Sequence, residues 1–254
     1  MKICYGAPMA AVPDVALDAE AEAPSRRERV RAATIEEIKS TAMRMLRERG
    51  ADLRFADIAR DMGVTAPALY RYYADRDELL SALMVDGFRA MSDTLGDALD
   101  SVAPDDLAGR IRAAAVAYRD FARADPSRFS LLFGLPNPGF GRHSGHASGP
   151  AAGATMATLE RLVQSVVDHG RAPTPLVRDV GPTWSTEAGT TAQRSGGTRI
   201  PPDSYQSLLH FLAAVHGFSC LENFDHLSWI TEDSRDELFD AQVDLLVRAM
   251  GATS

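Results

Sequence analysis

The chain has 254 residues, of which 45% are hydrophobic and 24% charged, an ordinary globular balance with room for one small and one medium domain. Its net charge of −8 argues against a protein that coats nucleic acid indiscriminately. Cys4 and Cys220 lie too far apart to suggest a disulfide framework or a metal site, the N-terminus lacks the apolar core of a signal peptide, and no apolar run approaches the roughly 18 residues of a membrane span. A reduced, cytoplasmic protein without metal, cofactor or membrane partner is the expectation.

Residues 1–24 are rich in Ala, Pro and acids without a sustained period, and read as a mobile tail. Ser25 can cap a helix from Arg26 to about Arg49, ended by Gly50. Its apolar face runs through Val30, Ala33, Thr34, Ile35, Ile38, Ala42, Met45 and Leu46. Phe55, Ile58, Ala59 and Met62 follow at helical spacing. Gly63 stands where a helix end favours a left-handed residue, and Thr65 where an N-cap hydroxyl is wanted. Pro67 sits in a first turn, where its missing N–H costs little. A second short helix, about Ala66 to Tyr72, buries Leu69 and, just beyond it, Tyr73. Two short helices around a tight turn, followed by a longer helix, make a helix-turn-helix. Thr65, Ala66 and Ala68 are small enough for close approach to base edges, and Tyr70, Arg71 and Tyr72 can reach phosphates. Charge supports this reading. Residues 26–76 hold 12 basic and 8 acidic side chains, a net of +4, so the remainder carries −12.

The segment resembles the DNA-binding domain of the tetracycline-repressor (TetR) family of transcriptional regulators. The resemblance rests on Ile58-Ala59, Gly63-Val64-Thr65, Leu69-Tyr70, Tyr72-Tyr73, Arg76 and Glu78-Leu79-Leu80. Where the family more often has His-Phe this chain has Tyr72-Tyr73, and Arg76 replaces Lys. It implies a reader over 25–76 that contacts double-stranded DNA through Arg26, Arg27, Arg54, Thr65, Ala66, Pro67, Ala68, Tyr70, Arg71, Tyr72 and Arg76. A helical effector-binding and dimerisation domain over 77–254 would complete an all-α chain.

Beyond the reader, Asp75 or Asp77 starts a long helix to about Ser101 that belongs to both domains. Helices are expected over Asp105–Ala124, from Pro126 through Phe133, over Ala154–His169, from Asp203 or Ser204 to about Asn223, and over Thr231–Met250. Loops rich in Gly, Pro, Ser and Thr are expected at 134–153 and 170–202, with little order in the second. His143 and His146 lie in the first loop without carboxylate or cysteine neighbours, which reads as a loose surface pair rather than a metal site.

His216-Gly217-Phe218, with Leu221-Glu222 after it, resembles the C-terminal domain of one TetR subfamily, although Leu212 stands near the place of its signature Trp. Taken alone, Gly217 would permit close helix approach and His216 would satisfy a backbone carbonyl. The resemblance implies an apolar effector pocket, for which Phe88, Met91, Tyr118, Phe121, Phe129, Phe133, Met156, Leu159, Phe211 and His216 are candidate walls. It also implies a homodimer through the last two helices, with Leu208, Leu212, Leu238, Val243 and Leu246 at the interface. The expected function is a repressor released from a palindromic operator by a small, mainly hydrophobic effector. An activator of the same fold, or a helical interaction module without DNA binding, is the alternative. Neither a Ser/His/Asp nor a Cys/His grouping nor a phosphate loop is present to support an enzyme.

Overall fold

A computed structural model describes residues 25–50, 53–133, 148–171, 180, 181, 184 and 200–252. All regular structure among the described residues is helical. The chain falls into two units, Met1–Glu37 and Ile38–Ser254. The first contributes the opening half of α1 (Arg26–Arg49). There Ser25 and Glu28 form a reciprocal cap. The Glu28 amide donates to the Ser25 hydroxyl at 3.3 Å, and the Ser25 amide donates to the Glu28 carboxylate at 2.7 Å. Val30 and Ala33, expected on an apolar face, are exposed, and along α1 burial begins at Ile38.

The second unit continues α1 and adds α2 (Phe55–Asp61), α3 (Ala66–Leu69), α4 (Arg76–Asp100), α5 (Leu107–Ala124), α6 (Pro126–Phe133), α7 (Ser148–Asp168), α8 (Pro202–Asn223) and α9 (Glu232–Ala249). The α4 helix packs along α7 and α5, and α8 and α9 close over α5. Their shared core is built on Met91, Leu95, Ile111, Tyr118, Phe129, Leu162, Val163, Phe211 and Phe239, all buried. Each such large apolar side chain removed from water contributes about 1.5–3 kcal/mol.

Several boundaries differ from the sequence expectation for local reasons. The α3 helix ends at Leu69, and Tyr70 to Tyr72 continue as a turn. The α5 helix starts at Leu107 because the Asp106 carboxylate caps it, accepting from the Gly109 amide at 2.8 Å. The α7 helix begins at Ser148, so the expected loop at 134–153 is helical from there on. Its remainder, with His143 and His146, lies outside the described residues. The α8 helix starts at Pro202, with Pro201 at its N-cap and no side-chain cap. Within 170–202, Trp184 stacks on Tyr205 at 6.2 Å and packs on the core, and Ile200 is buried. The expectation of little order therefore fails at those positions.

Candidate functional site

The turn between α2 and α3 is set by backbone chemistry. Phe55, Ile58 and Ala59 bury one face of α2. At its end the Val64 amide donates to the Ala59 carbonyl at 2.9 Å, and the Gly63 amide to the Arg60 carbonyl at 3.2 Å. These two bonds form a Schellman motif, which needs a left-handed residue at Gly63, whose φ is +67°. Thr65 then takes the extended N-cap position of α3, and its carbonyl accepts from the Ala68 amide at 2.9 Å. Contrary to the expected cap, the Thr65 hydroxyl makes no capping bond, so that polar group is available to a partner.

Leu69 and Tyr73 anchor α3 and the turn after it in the core. On the other side, Thr65, Pro67, Tyr70 and Arg71 are exposed, and Ala66, Ala68 and Tyr72 are half-buried. Tyr70 is 57% exposed, and its ring leans on Phe55 with centroids 5.1 Å apart. Arg71 has no carboxylate partner among the described residues. Arg76 opens α4 and pairs with neighbouring Asp77 at 3.4 Å. Asp75 caps α4, accepting from the Glu78 amide at 2.8 Å, while the Glu78 carboxylate reaches back to the Ala74 amide. This fixes the entry of α4 directly after the reader. Arg54, at the N-cap of α2, is exposed. In the other unit, Arg26 and Arg27 are exposed in the first turn of α1.

The expected pocket walls fall into two overlapping groups. Met91, Tyr118, Phe129, Leu159 and Phe211 are core residues with almost no exposure. Phe88, Phe129, Phe133, Tyr118 and His216 form one ring group. Phe88 meets Phe133 at 5.7 Å, Phe133 meets His216 at 4.8 Å, and Phe129 meets His216 at 5.7 Å. Phe133 keeps 40% of its surface exposed, at the end of α6. Phe121 and Met156 are half-buried beside these groups.

His216 does not satisfy a backbone carbonyl. Its Nδ1 shares a hydrogen bond with the Tyr118 hydroxyl at 2.8 Å, and its Nε2 shares one with the Cys220 sulfur at 3.3 Å. Burial, with Cys220 alongside, pushes the Tyr118 phenol well up, so it stays protonated. Burial pushes the His216 imidazole down and the Cys220 thiol up, so the trio is neutral near pH 7. The group is therefore apolar with a small uncharged polar core.

Gly217 is not a close-approach residue, since a Cβ there would meet nothing within 4 Å. Gly87 fills that role instead: a Cβ would stand 2.9 Å from the Leu132 side chain, where α4 crosses α6. The sequence reading also missed Arg119. Its guanidinium is buried over the Phe218 and Phe239 rings, donates to both Glu222 oxygens at 2.7 and 2.6 Å, and reaches Asp236 at 2.7 Å. One network thus ties α5 to α8 and α9. The only hint in the sequence was an arginine on an otherwise apolar helical face.

The expected interface residues need correction. Leu208, Val243 and Leu246 are buried in the chain's own core and have no surface to offer a partner. Leu212 is half-buried. Of the five, Leu238 is exposed, at 52%, and Leu245, one heptad on along α9, is 49% exposed. Leu221 on α8 is exposed as well.

Comparison with known proteins agrees with both halves of the chain. Residues 38–83 match the model of bacterial regulatory proteins of the tetR family, and residues 111–246 that of a tetracyclin repressor-like C-terminal domain. The HTH-type transcriptional regulators Rv1816 of Mycobacterium tuberculosis and Mb1846 of Mycobacterium bovis are each 31% identical over 211 residues. The alignment covers 82% of this chain and 88% of each relative. The crystal structure of the regulatory protein SCO4313 superposes with a TM-score of 0.68 at 29% identity, covering 88% of this chain and 99% of that one. A tetR-family regulatory protein from Rhodococcus RHA1 shares the fold, with a TM-score of 0.55 at 14% identity over 87% of this chain and 98% of its own. No helix among the described residues is long and apolar enough to cross a membrane.

Proposed function

The chain belongs to the tetR family of bacterial transcriptional regulators, a family of DNA-binding proteins rather than enzymes, and from that premise we propose a ligand-released repressor. In this reading it holds a palindromic operator as a twofold homodimer, and a small, mainly hydrophobic effector releases it. The observation that carries the DNA-binding part is the outer side of the α3 turn. Small residues and an unengaged Thr65 hydroxyl lie beside exposed Tyr70 and Arg71.

Thr65, Ala66 and Ala68 would lie against base edges or a thymine methyl, with Pro67 starting the helix. Arg54, Tyr70, Arg71, Tyr72 and Arg76 would hold phosphates and so fix register. Arg26 and Arg27 are assigned to phosphate on the family's pattern alone. An effector would enter among Phe88, Phe133 and His216, where neutral polar groups and aromatic rings suit an uncharged, largely apolar molecule. A second copy would cover Leu221, Leu238 and Leu245, and its twofold axis would match a palindrome.

The test is a salt-titrated gel shift with the intergenic DNA upstream of the protein's own gene, followed by duplexes selected from a randomised library. A discrete complex surviving competitor DNA is expected, and Arg71→Ala should flatten the slope of log K against log salt by about one unit. Binding abolished by modest salt for every selected duplex would overturn the proposal.

A further inference from the structure

A cation near the end of α1 is tied to the corner where α6 begins. Arg47, in the last turn of α1, donates from Nε at 3.3 Å and from Nη2 at 2.7 Å to the two carboxylate oxygens of Asp125. The Asp125 side chain is only 14% exposed. It also caps α6, because the same carboxylate accepts from the Arg128 amide at 3.1 Å while the Asp125 carbonyl accepts from the Phe129 amide at 3.0 Å. Burial alone would raise this carboxyl's pKa, but the Arg47 and Arg128 amide hydrogen bonds outweigh it and hold the group below its ordinary value. The pair is charged at neutral pH.

Both ends of this joint lead somewhere. The α6 helix is eight residues long, too short to hold its own position, so its placement is set by what it is fastened to. On one side Phe129 and Phe133 carry it into the ring group around His216, and Asn223 at the end of α8 donates to Ser130 Oγ at 3.1 Å. On the other side, one turn back from Arg47, Arg44 binds Asp61 at the end of α2. A contiguous path therefore runs from the ring group through α6, Asp125 and Arg47 to the first helix of the reader. It does not use α4.

We infer that Asp125 is a positioning residue for DNA binding: through its bond to Arg47, the state of α6 and the state of the reader are coupled. The inference rests on the reading of the chain as a DNA-binding protein. Coupling of this kind is reciprocal, so a duplex bound at the reader must change α6 as much as a change in α6 alters the reader.

Hydrogen exchange on the full chain tests it, with a duplex that the wild-type protein has selected from a randomised library as the probe. At saturating duplex, exchange at the Ser130–Phe133 amides of the wild type should change at least several-fold. In Arg47→Gln, and separately in Asp125→Asn, which keeps an acceptor for the α6 cap, that change should shrink to near unity relative to each variant's own duplex-free rate. A purely structural bond would shift the duplex-free rates and leave the ratio intact, and that result would overturn the inference. Wild-type α6 that ignores a bound duplex would overturn it equally. If the wild type selects no duplex, the DNA-binding reading fails first and takes the inference with it.

Discussion

Replacing Arg119 by Met probes the contact that fastens α5 to the last two helices. The guanidinium satisfies both oxygens of Glu222, whose side chain is only 9% exposed, and one oxygen of the half-exposed Asp236. Removing it leaves Asp236 able to return to water, at little cost. Glu222 cannot do the same, and an unpaired carboxylate left that buried costs about 3–5 kcal/mol. With a urea slope of about 2–3 kcal/mol/M for a chain of this size, the unfolding midpoint should fall by about 1–2.5 M at fixed protein concentration. The double variant Arg119→Met/Glu222→Met should recover most of that loss. It removes both charges and places a thioether against the Phe218 and Phe239 rings, where the cation stands 5.3 and 4.5 Å from their centroids. A single variant costing under about 1 kcal/mol, or a double variant no better than the single, would refute the assignment of Arg119 as the buried partner of Glu222.

Gly63→Ala should destabilise the chain by about 1–2 kcal/mol, because the φ of +67° is kept by the turn although a Cβ meets no neighbour. Gly217→Ala, in open helical surroundings, should gain up to about 1 kcal/mol; urea unfolding that moves both in the same direction would contradict the geometry. His216 has a folded pKa pushed below its ordinary 6.5 by burial, so the unfolded chain takes up the proton first. Its contribution is complete above pH 6.5 and is lost as the pH falls through the folded value; His216→Gln should show a shallower loss of Tm than the wild type between pH 7 and pH 5. Leu238→Asp with Leu245→Asp should convert a species of twice 27.4 kDa into the monomer in sedimentation. An unchanged mass would place any interface elsewhere.

The helical periods made the α-helical class and the reader legible, because buried faces and caps are local. Ile58, Ala59, Gly63 and Leu69 declare one short helix, its left-handed end and the anchor of the next without any knowledge of the rest of the chain. What stayed hidden depends on partners distant in sequence. The Arg119–Glu222 contact spans 103 positions and the Tyr118–His216 bond spans 98, and neither leaves a periodic trace. Gly87 and Gly217 look alike in the sequence, yet only the first stands against another helix. The burial of three of the five expected interface residues, Leu208, Val243 and Leu246, stayed hidden for a related reason. A helix such as α9 carries apolar residues on two faces, and periodicity alone cannot say that Val243 and Leu246 turn inward while Leu238 and Leu245 turn out.

Charge illustrates the same limit, with a consequence for how the reader works. Among the described residues, Lys39 pairs with Asp86, Arg44 with Asp61, Arg47 with Asp125, Arg60 with Asp57 and Arg76 with Asp77. Asp86 and Asp125 come from the acidic body, so the net charge counted along the sequence is partly neutralised in space. A paired cation projects little field past a Debye length of about 8–10 Å. Long-range steering should therefore be weaker than the composition implies, and on the proposed reading affinity should rest on a few short phosphate contacts. The salt dependence of DNA binding should reflect those few phosphates rather than the twelve cations. Each one lost, Arg71 first, should then remove a large share of the whole slope.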